Sequence, residues 1–301
     1  SAGDLQIVRD IQKGPNNSLD SEASLCVVGS NIFFAATSSA GVELWKSDGT
    51  AAGTVMVKDI AAGSSSSFPN ELVNVNGTLF FAASTDGSKL TREFWKSDGT
   101  EAGTVLVKDI NPTTGSNIFY MTAFGNKVFF AANDGTTSSE PWISDGTSAG
   151  TFLLKDIYSG GSSVGNGRPL VAGNNVFFVG NQNGSGLELW KTDGTSAGTV
   201  MVKEIGPGSL DGLGSKTFGK LGNNLIFTAD DGVNGQEPWI SDGTAAGTVM
   251  IANVAAGGFS SFPLAYTTVG STVFFCADDG VTGFELWKTD GTAGGTVMVK
   301  D

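Results

Sequence analysis

An all-β fold, a six-bladed β-propeller of four-stranded antiparallel blades, is predicted by three features of this 301-residue chain. A stretch holding tryptophan and Asp-Gly-Thr recurs six times, 44 glycines punctuate the sequence, and no segment sustains an apolar period of 3.6 residues. The tryptophans are Trp45, Trp95, Trp142, Trp190, Trp239 and Trp287, spaced by 50, 47, 48, 49 and 48 residues. A fixed period in the forties marks repeats that stack or form rings. A parallel β-solenoid is the rival architecture. Its repeats are usually shorter and lack hairpin turns inside each one, so the propeller is preferred.

Within each period four short strands can be read. Strand A is an apolar stretch such as the one from Leu72 to Val75, followed by Asn76-Gly77, Gly125-Asn126, Gly173-Asn174 or Gly270-Ser271. These residues accept the positive φ of two-residue hairpin turns. Strand B holds adjacent apolar residues, as in Phe33-Phe34 and Phe80-Phe81. Neighbours along a strand point to opposite faces, so both faces of each sheet are expected to be buried. Strand C carries the tryptophan, and strand D is the Val55-to-Ile60 segment and its kin. Known propellers place A innermost and D outermost. The expected blades are roughly 22–60, 70–110, 118–157, 168–205, 216–254 and 264–301, in one domain spanning 1–301. Residues 5–11, LQIVRDI, read as a further strand D with no A, B or C before it. Seven such strands for six blades favour a piece of a longer array over a spare edge strand that recruits a neighbouring chain.

Composition narrows the function. A net charge of −13 makes nucleic acid and anionic membrane poor partners. A cation or a neutral, hydroxyl-rich ligand suits the chain better. No run of 18 apolar residues offers a membrane span, and SAGDLQIVRD is not a charged-then-apolar leader. Such a chain is expected to be cytosolic, or a mature or excised part of an exported protein. The absence of histidine removes the commonest general base and the commonest metal ligand together. Cys26 and Cys276 are too few for a disulfide scaffold, and two buried free thiols are expected rather than a disulfide stapling the ring.

The pattern E-x-W-x-x-D-G-T-x-x-G-T, as in ELWKSDGTAAGT from Glu43, resembles the bacterial ELWxxDGT repeat family. Its copies extend over nearly the whole chain. The resemblance implies large exported or cell-surface proteins, commonly multidomain, with no shared activity, and it supplies no catalytic residues. An extracellular or surface location is therefore expected.

Each motif residue invites a structural reading. Asp48, Asp98, Asp145, Asp193, Asp242 and Asp290 are expected to build Asx-type turns rather than ligate calcium, similar in position to the Asp-box turns of sialidase propellers. The six tryptophans are expected to pack between blades rather than form a sugar platform. A six-residue loop from Asp48 to Gly53 sets Ser47 opposite Thr54, Trp45 opposite Met56 and Glu43 opposite Lys58. A Glu–Lys cross-strand pair is predicted in most blades on that register, broken in blade five by Ala252.

Ligand binding is expected on the face shared by the D-to-A and B-to-C connections, because variable loops on a constant frame commonly carry function. The D-to-A connections vary most, and the candidate binding residues are Ser65, Ser66, Phe68, Asn111, Thr113, Ser162, Arg168 and Asp211. The B-to-C connections repeat Asp-Gly, which ordinary turn chemistry explains. Asp230, Asp231, Asp278 and Asp279 are nevertheless the best candidate ligands should calcium bind; no cofactor is otherwise required. No phosphate loop, nucleophile elbow or zinc spacing appears. The three arginines do not form a sialidase-like cluster, and Arg9 occupies the motif's lysine position. The expected function is a non-enzymatic structural, adhesive or binding module. Its partners would be a surface glycan or protein, copies of itself, or other domains of a parent protein. A lectin-like propeller is the alternative and a secreted hydrolase the third reading.

Overall fold

A computed structural model describes residues 7–12, 17–19, 24–165, 167–213 and 217–301. Of the expected strand D at 5–11, residues 7–11 are described and form no strand, since they pair with no sheet edge, and the expected blade starts at 22 and 216 lie outside the described residues. The chain divides into two compact units, Ser1–Leu153 and Leu154–Asp301, each holding three four-stranded antiparallel sheets with strands in chain order. In the first unit, blade one is β1 (Cys26–Val28), β2 (Asn31–Ser38), β3 (Gly41–Ser47) and β4 (Val55–Lys58). Blade two is β5 (Asn70–Val75), β6 (Thr78–Ala83), β7 (Glu93–Ser97) and β8 (Val105–Lys108). Blade three is β9 (Phe119–Phe124), β10 (Lys127–Ala132), β11 (Glu140–Ser144) and β12 (Phe152–Leu153).

In the second unit, blade four is β13 (Leu170–Ala172), β14 (Asn175–Asn181), β15 (Leu187–Thr192) and β16 (Val200–Lys203). Blade five is β17 (Phe218–Leu221), β18 (Asn224–Asp230), β19 (Gln236–Ser241) and β20 (Val249–Met250). Blade six is β21 (Leu264–Val269), β22 (Thr272–Asp278), β23 (Phe284–Thr289) and β24 (Val297–Lys300). Six meandering sheets of four are the blades of a six-bladed β-propeller fold. Both cysteines are free thiols; Cys26 is buried as expected, but Cys276 is only half-buried.

The adjacent apolar residues of strand B serve two interfaces at once. In the first unit, Phe33, Leu44, Val57 and Ile60 of blade one pack against Leu79, Phe81 and Trp95 of blade two. Phe80, Phe94, Val107 and Ile110 of blade two then meet Val128, Phe130 and Trp142 of blade three. Phe94 and Phe130 stack with ring centroids 4.8 Å apart. The second unit repeats the pattern. Phe177, Leu189 and Val202 of blade four pack on Leu225, Phe227 and Trp239 of blade five, and Ile226 and Ile251 of blade five on Val273 of blade six. Each large side chain buried this way contributes roughly 1.5–3 kcal/mol.

The C-to-D hairpin accounts for most letters of the motif. The Asp48 carboxylate accepts from the Thr50 amide (2.9 Å) and hydroxyl (2.7 Å), and Thr50 Oγ1 accepts from the Gly53 amide at 2.9 Å. Thr54 Oγ1 donates to the Thr50 carbonyl at 2.7 Å and lies 2.7 Å from Ser47 Oγ. A Cβ on Gly53 would collide with the Asp48 carboxylate, which explains the second glycine. The same carboxylate-to-Thr bonds recur at Asp98, Asp145, Asp193, Asp242 and Asp290. The Thr hydroxyl bond holds each of these aspartates below the usual carboxylate range.

The predicted Glu–Lys pairing fails at a break in the C-to-D register. Ser47 and Trp45 keep the expected register, but a β-bulge between Leu44 and Trp45 sets Lys58 opposite Leu44. The Glu43 carboxylate is instead buried. It accepts from the amides of Ile60 (2.9 Å), Ala61 (3.3 Å) and Ser67 (3.0 Å) and from the Ser67 hydroxyl (2.6 Å). It thereby ties the D-to-A connection to its own blade. Glu93, Glu188 and Glu237 accept from the corresponding amides. The lysine reaches out to another repeat. Lys58 Nζ donates to the Thr104 carbonyl at 2.8 Å, Lys108 to Thr151 at 2.6 Å, Lys155 to Thr199 at 3.0 Å and Lys203 to Thr248 at 2.8 Å. Three of these ammonium groups also lie 5.6–5.9 Å from the ring of Trp142, Trp190 or Trp239, within cation–π range. Arg9 supplies the equivalent bond to the Thr54 carbonyl.

Two outcomes follow for stability. Gly99 has a φ of +88°, and an added Cβ would lie 3.1 Å from Phe33 Cζ, whereas Gly49, at +90°, meets nothing within 4 Å. Gly49→Ala should cost about 1–2 kcal/mol for the left-handed backbone alone. Gly99→Ala should cost about 1–3 kcal/mol more for overpacking. Denaturant unfolding checks this, and equal losses would remove the packing contribution. Second, burial raises Glu188 from 4.5 to about 7, opposed by the Ile205 and Gly206 amides and helped by Glu204. A carboxyl raised on folding contributes stability that is complete below its unfolded pKa and lost as pH rises through the folded one. Melting temperature should therefore fall between pH 4.5 and about 7. Glu188→Gln should flatten that slope, and an unchanged slope would exonerate Glu188.

Candidate functional site

The D-to-A and B-to-C connections meet at one end of each blade through backbone bonds. The amides of Ser67 (2.9 Å) and Phe68 (3.2 Å) both donate to the Val42 carbonyl, and Ser84 N donates to the Ser67 carbonyl at 2.9 Å. Ser66 Oγ accepts from Val42 N at 2.9 Å, and Asp211 plays the same part for Leu187 N at 2.9 Å. The Ser65 carbonyl presses on Gly41, where a Cβ would not fit. These three candidate binding residues thus latch the loop to its blade.

Strand A opens abnormally in three blades. Phe68 (φ 48°) and Glu71 (φ 53°) are left-handed in blade two, as are Asn117 and Tyr120 in blade three and Phe262 and Ala265 in blade six. The same three sheets carry a register shift at this point, between Asn70 and Val73, Phe129 and Ala131, and Leu264 and Thr267. Left-handed backbone at bulky residues costs of order 1–3 kcal/mol each and concentrates at functional sites. In blade two the distortion turns Phe68 into a cavity.

That cavity has a volume of about 390 Å³ and lies within the first unit. Phe68, Pro69 and Asn70 of the D-to-A connection line it with Lys89 and Arg92 of the B-to-C connection and Thr37 of β2. Lys89 Nζ sits 5.0 Å from the Phe68 ring centroid. Burial pulls the half-buried Arg92 guanidinium below its ordinary pKa, and the charge of Glu71 opposes that fall. The Glu71 carboxylate also accepts from Met121 N at 3.1 Å. Asn70 Oδ1 is buried without a hydrogen-bond partner. An aromatic face, hydroxyls, an amide and two cations on one wall suit a hydroxyl-rich ligand bearing an anionic group.

The other candidates fall elsewhere. Asn111 Oδ1 accepts from the Thr113 amide (3.3 Å) and hydroxyl (2.8 Å) and from the Thr114 amide (3.2 Å), closing its own loop. Asn111 and Thr113 themselves line a smaller cavity of about 190 Å³, together with Asp86, Glu93 and Asp109. Ser162 and Arg168 are exposed on the connection leading to β13. Asp230 Oδ1 accepts from Gly232 N (2.8 Å), and Asp231 from the amides of Val233 (2.9 Å) and Asn234 (2.8 Å). Asp278 accepts from Gly280 N (2.7 Å), and Asp279 from the amides of Val281 (2.9 Å) and Thr282 (2.8 Å). Each aspartate folds its own turn. Among the described residues no three His, Cys, Asp or Glu side chains converge as a metal site would require. The tryptophans are buried between blades or at a blade surface, with their indole N–H groups unpaired.

Lys89, Arg92 and Asn70 were not singled out from sequence as site residues. A signal exists: GSKLTR from Gly87 is the only basic B-to-C connection among the six.

No family model and no curated protein matches the chain. Among solved structures, one from a study of two prolyl endopeptidases is similar at a TM-score of 0.54 and 12% identity, over 91% of this chain and 41% of that one. This chain thus spans about two fifths of that protein's length. An uncharacterised protein of Listeria monocytogenes aligns at 0.49 and 12% identity over 99% and 86% of the two chains. TolB from Acinetobacter baumannii aligns at 0.43 and 15% identity over 77% and 55%. At these identities the first likeness speaks for the fold alone.

Proposed function

We propose that this protein is a non-enzymatic binding module of a secreted or cell-surface protein, and that its loop face takes a glycan bearing a carboxylate or similar anion. The observation that carries this reading is the Phe68–Lys89–Arg92 cavity. A sugar ring lies well against an aromatic face, and its hydroxyls suit the unpaired Asn70 oxygen and Thr37. A second counter-ion for Arg92 would offset the desolvation that lowers its pKa. An overall charge of −13 disfavours polyanions, so a single acidic group on an otherwise neutral ligand fits best.

Structural and adhesive roles are compatible with the same surface, since an adhesin holds its partner by binding. Among the described residues no helix is long and apolar enough to cross a membrane. Among the described residues lining the cavity, no carboxylate or thiol stands beside the two cations. Two carboxylates of the neighbouring cavity are engaged by loops: Asp86 accepts from Ser84 Oγ at 2.6 Å and Ser88 N at 3.0 Å, and Glu93 from the amides of Ile110 at 2.7 Å and Asn111 at 3.3 Å.

A glycan array probed with the full chain, comparing acidic and neutral sugars, tests the reading. Lys89→Ala should reduce retention of an acidic glycan by about tenfold or more, since a hydrogen bond to a charged group contributes about 1.5–3 kcal/mol. Lys89 is exposed, so its loss should leave melting unchanged. Retention indifferent to Lys89→Ala and Phe68→Leu, or no retained glycan, would sink the proposal.

A further inference from the structure

We propose that the connections around blade five dock a protein segment presenting bulky apolar side chains between lysine or arginine residues. The surface lies within the second unit and shares no residue with the Phe68–Lys89–Arg92 cavity. One position of the D-to-A connection sets it apart. Ser66 Oγ, Asp211 Oδ1 and Ser260 Oγ accept from the strand C amides of Val42, Leu187 and Gln236, each at 2.9 Å. The carbonyl of the preceding residue, Ser65, Leu210 or Phe259, presses on Gly41, Gly186 or Gly235. A serine therefore suffices to build this loop, yet the second unit places leucine and phenylalanine there. Leu210 is 39% exposed and Phe259 76%, so neither side chain is spent on the core.

Between them stands Val233, 72% exposed at the tip of the blade-five hairpin. A Cβ on Gly232, beside Val233, would lie 3.2 Å from Leu210 Cδ2. One on Gly258, beside Phe259, would lie 3.2 Å from the Val233 carbonyl. Asn253 Nδ2 donates to Asn234 Oδ1 at 3.1 Å and fastens the outgoing connection to the hairpin. Leu210, Val233 and Phe259 thus form one apolar row on polar loops, the mark of a surface that a partner covers.

Charge selects the partner. Residues 204–213, 230–236 and 252–263 hold Glu204, Asp211, Asp230 and Asp231 but no lysine or arginine. These carboxylates repel an acidic glycan or an anionic membrane, and aliphatic tips offer the hydroxyls of a neutral sugar nothing to bond. A basic protein segment gains twice. Its apolar side chains cover the row, and its cations meet the carboxylates of the same connections.

Selection of phage-displayed random peptides on the full chain tests this, with the double variant Val233→Ser, Phe259→Ser as counter-target. Both side chains are exposed, so the variant should melt as the wild type does. Peptides held by the wild type alone should carry an aromatic or aliphatic residue flanked by lysine or arginine. A synthetic copy of one should bind the variant about tenfold or more weakly, the factor expected for burying one large side chain. Added salt should weaken its binding to the wild type. Glycan retention reads the first unit and peptide retention the second, so either reading can fail without the other. Enrichment of acidic or hydroxyl-rich peptides, or no enrichment over the variant, would overturn the proposal. So would Phe259-dependent binding to phosphatidylcholine vesicles or Phe259-dependent self-association, which would assign the surface to lipid or to a second copy.

Discussion

Every sheet in this protein is apolar on both faces, and that single constraint organises the rest. A strand that reads Phe-Phe sends one ring forward and one back, so a lone blade would expose a hydrophobic face whichever way it turned. Stability comes from sandwiching, as in other repeat architectures where each unit contacts mainly its neighbours. The polar parts of the motif serve the same end. The lysine after the bulge donates across the blade boundary, and the buried glutamate pins the connection that leads to the next blade.

The motif glutamate illustrates how little separates a structural acid from a reactive one. A buried carboxyl whose pKa is driven up by desolvation resembles a general acid poised for chemistry. In Glu43 and Glu237 the oxygens are filled by backbone amides and a serine hydroxyl, leaving no room for substrate. Such a group sets loop geometry at the expense of pH tolerance. The cavity differs in kind: its cations come from a connection unique to blade two, and its aromatic wall from strained backbone that the hairpins on either side hold in place.

Repetition and exception divide the labour. Six equivalent hairpins, each satisfying its own hydrogen bonds, leave the frame indifferent to what its loops carry. The three blades with left-handed openings are where that frame is bent, and in blade two the bend lies beside a pair of cations.

The four strands of each blade and their order, the hairpin turns and the Asx role of the motif aspartates were legible in the sequence. Each depends on side-chain periodicity or on contacts a few residues apart. Only the tertiary structure decided that Glu43 and Lys58 do not pair: a bulge parts them, and the two side chains bond to different partners, one in its own blade and one in the next. The same holds for the cavity. Phe68 and Arg92 lie in separate connections, and nothing in either stretch announces the left-handed backbone that brings one beside the other. Local rules govern a hairpin, whereas a site depends on which distant loops the packed sheets bring together.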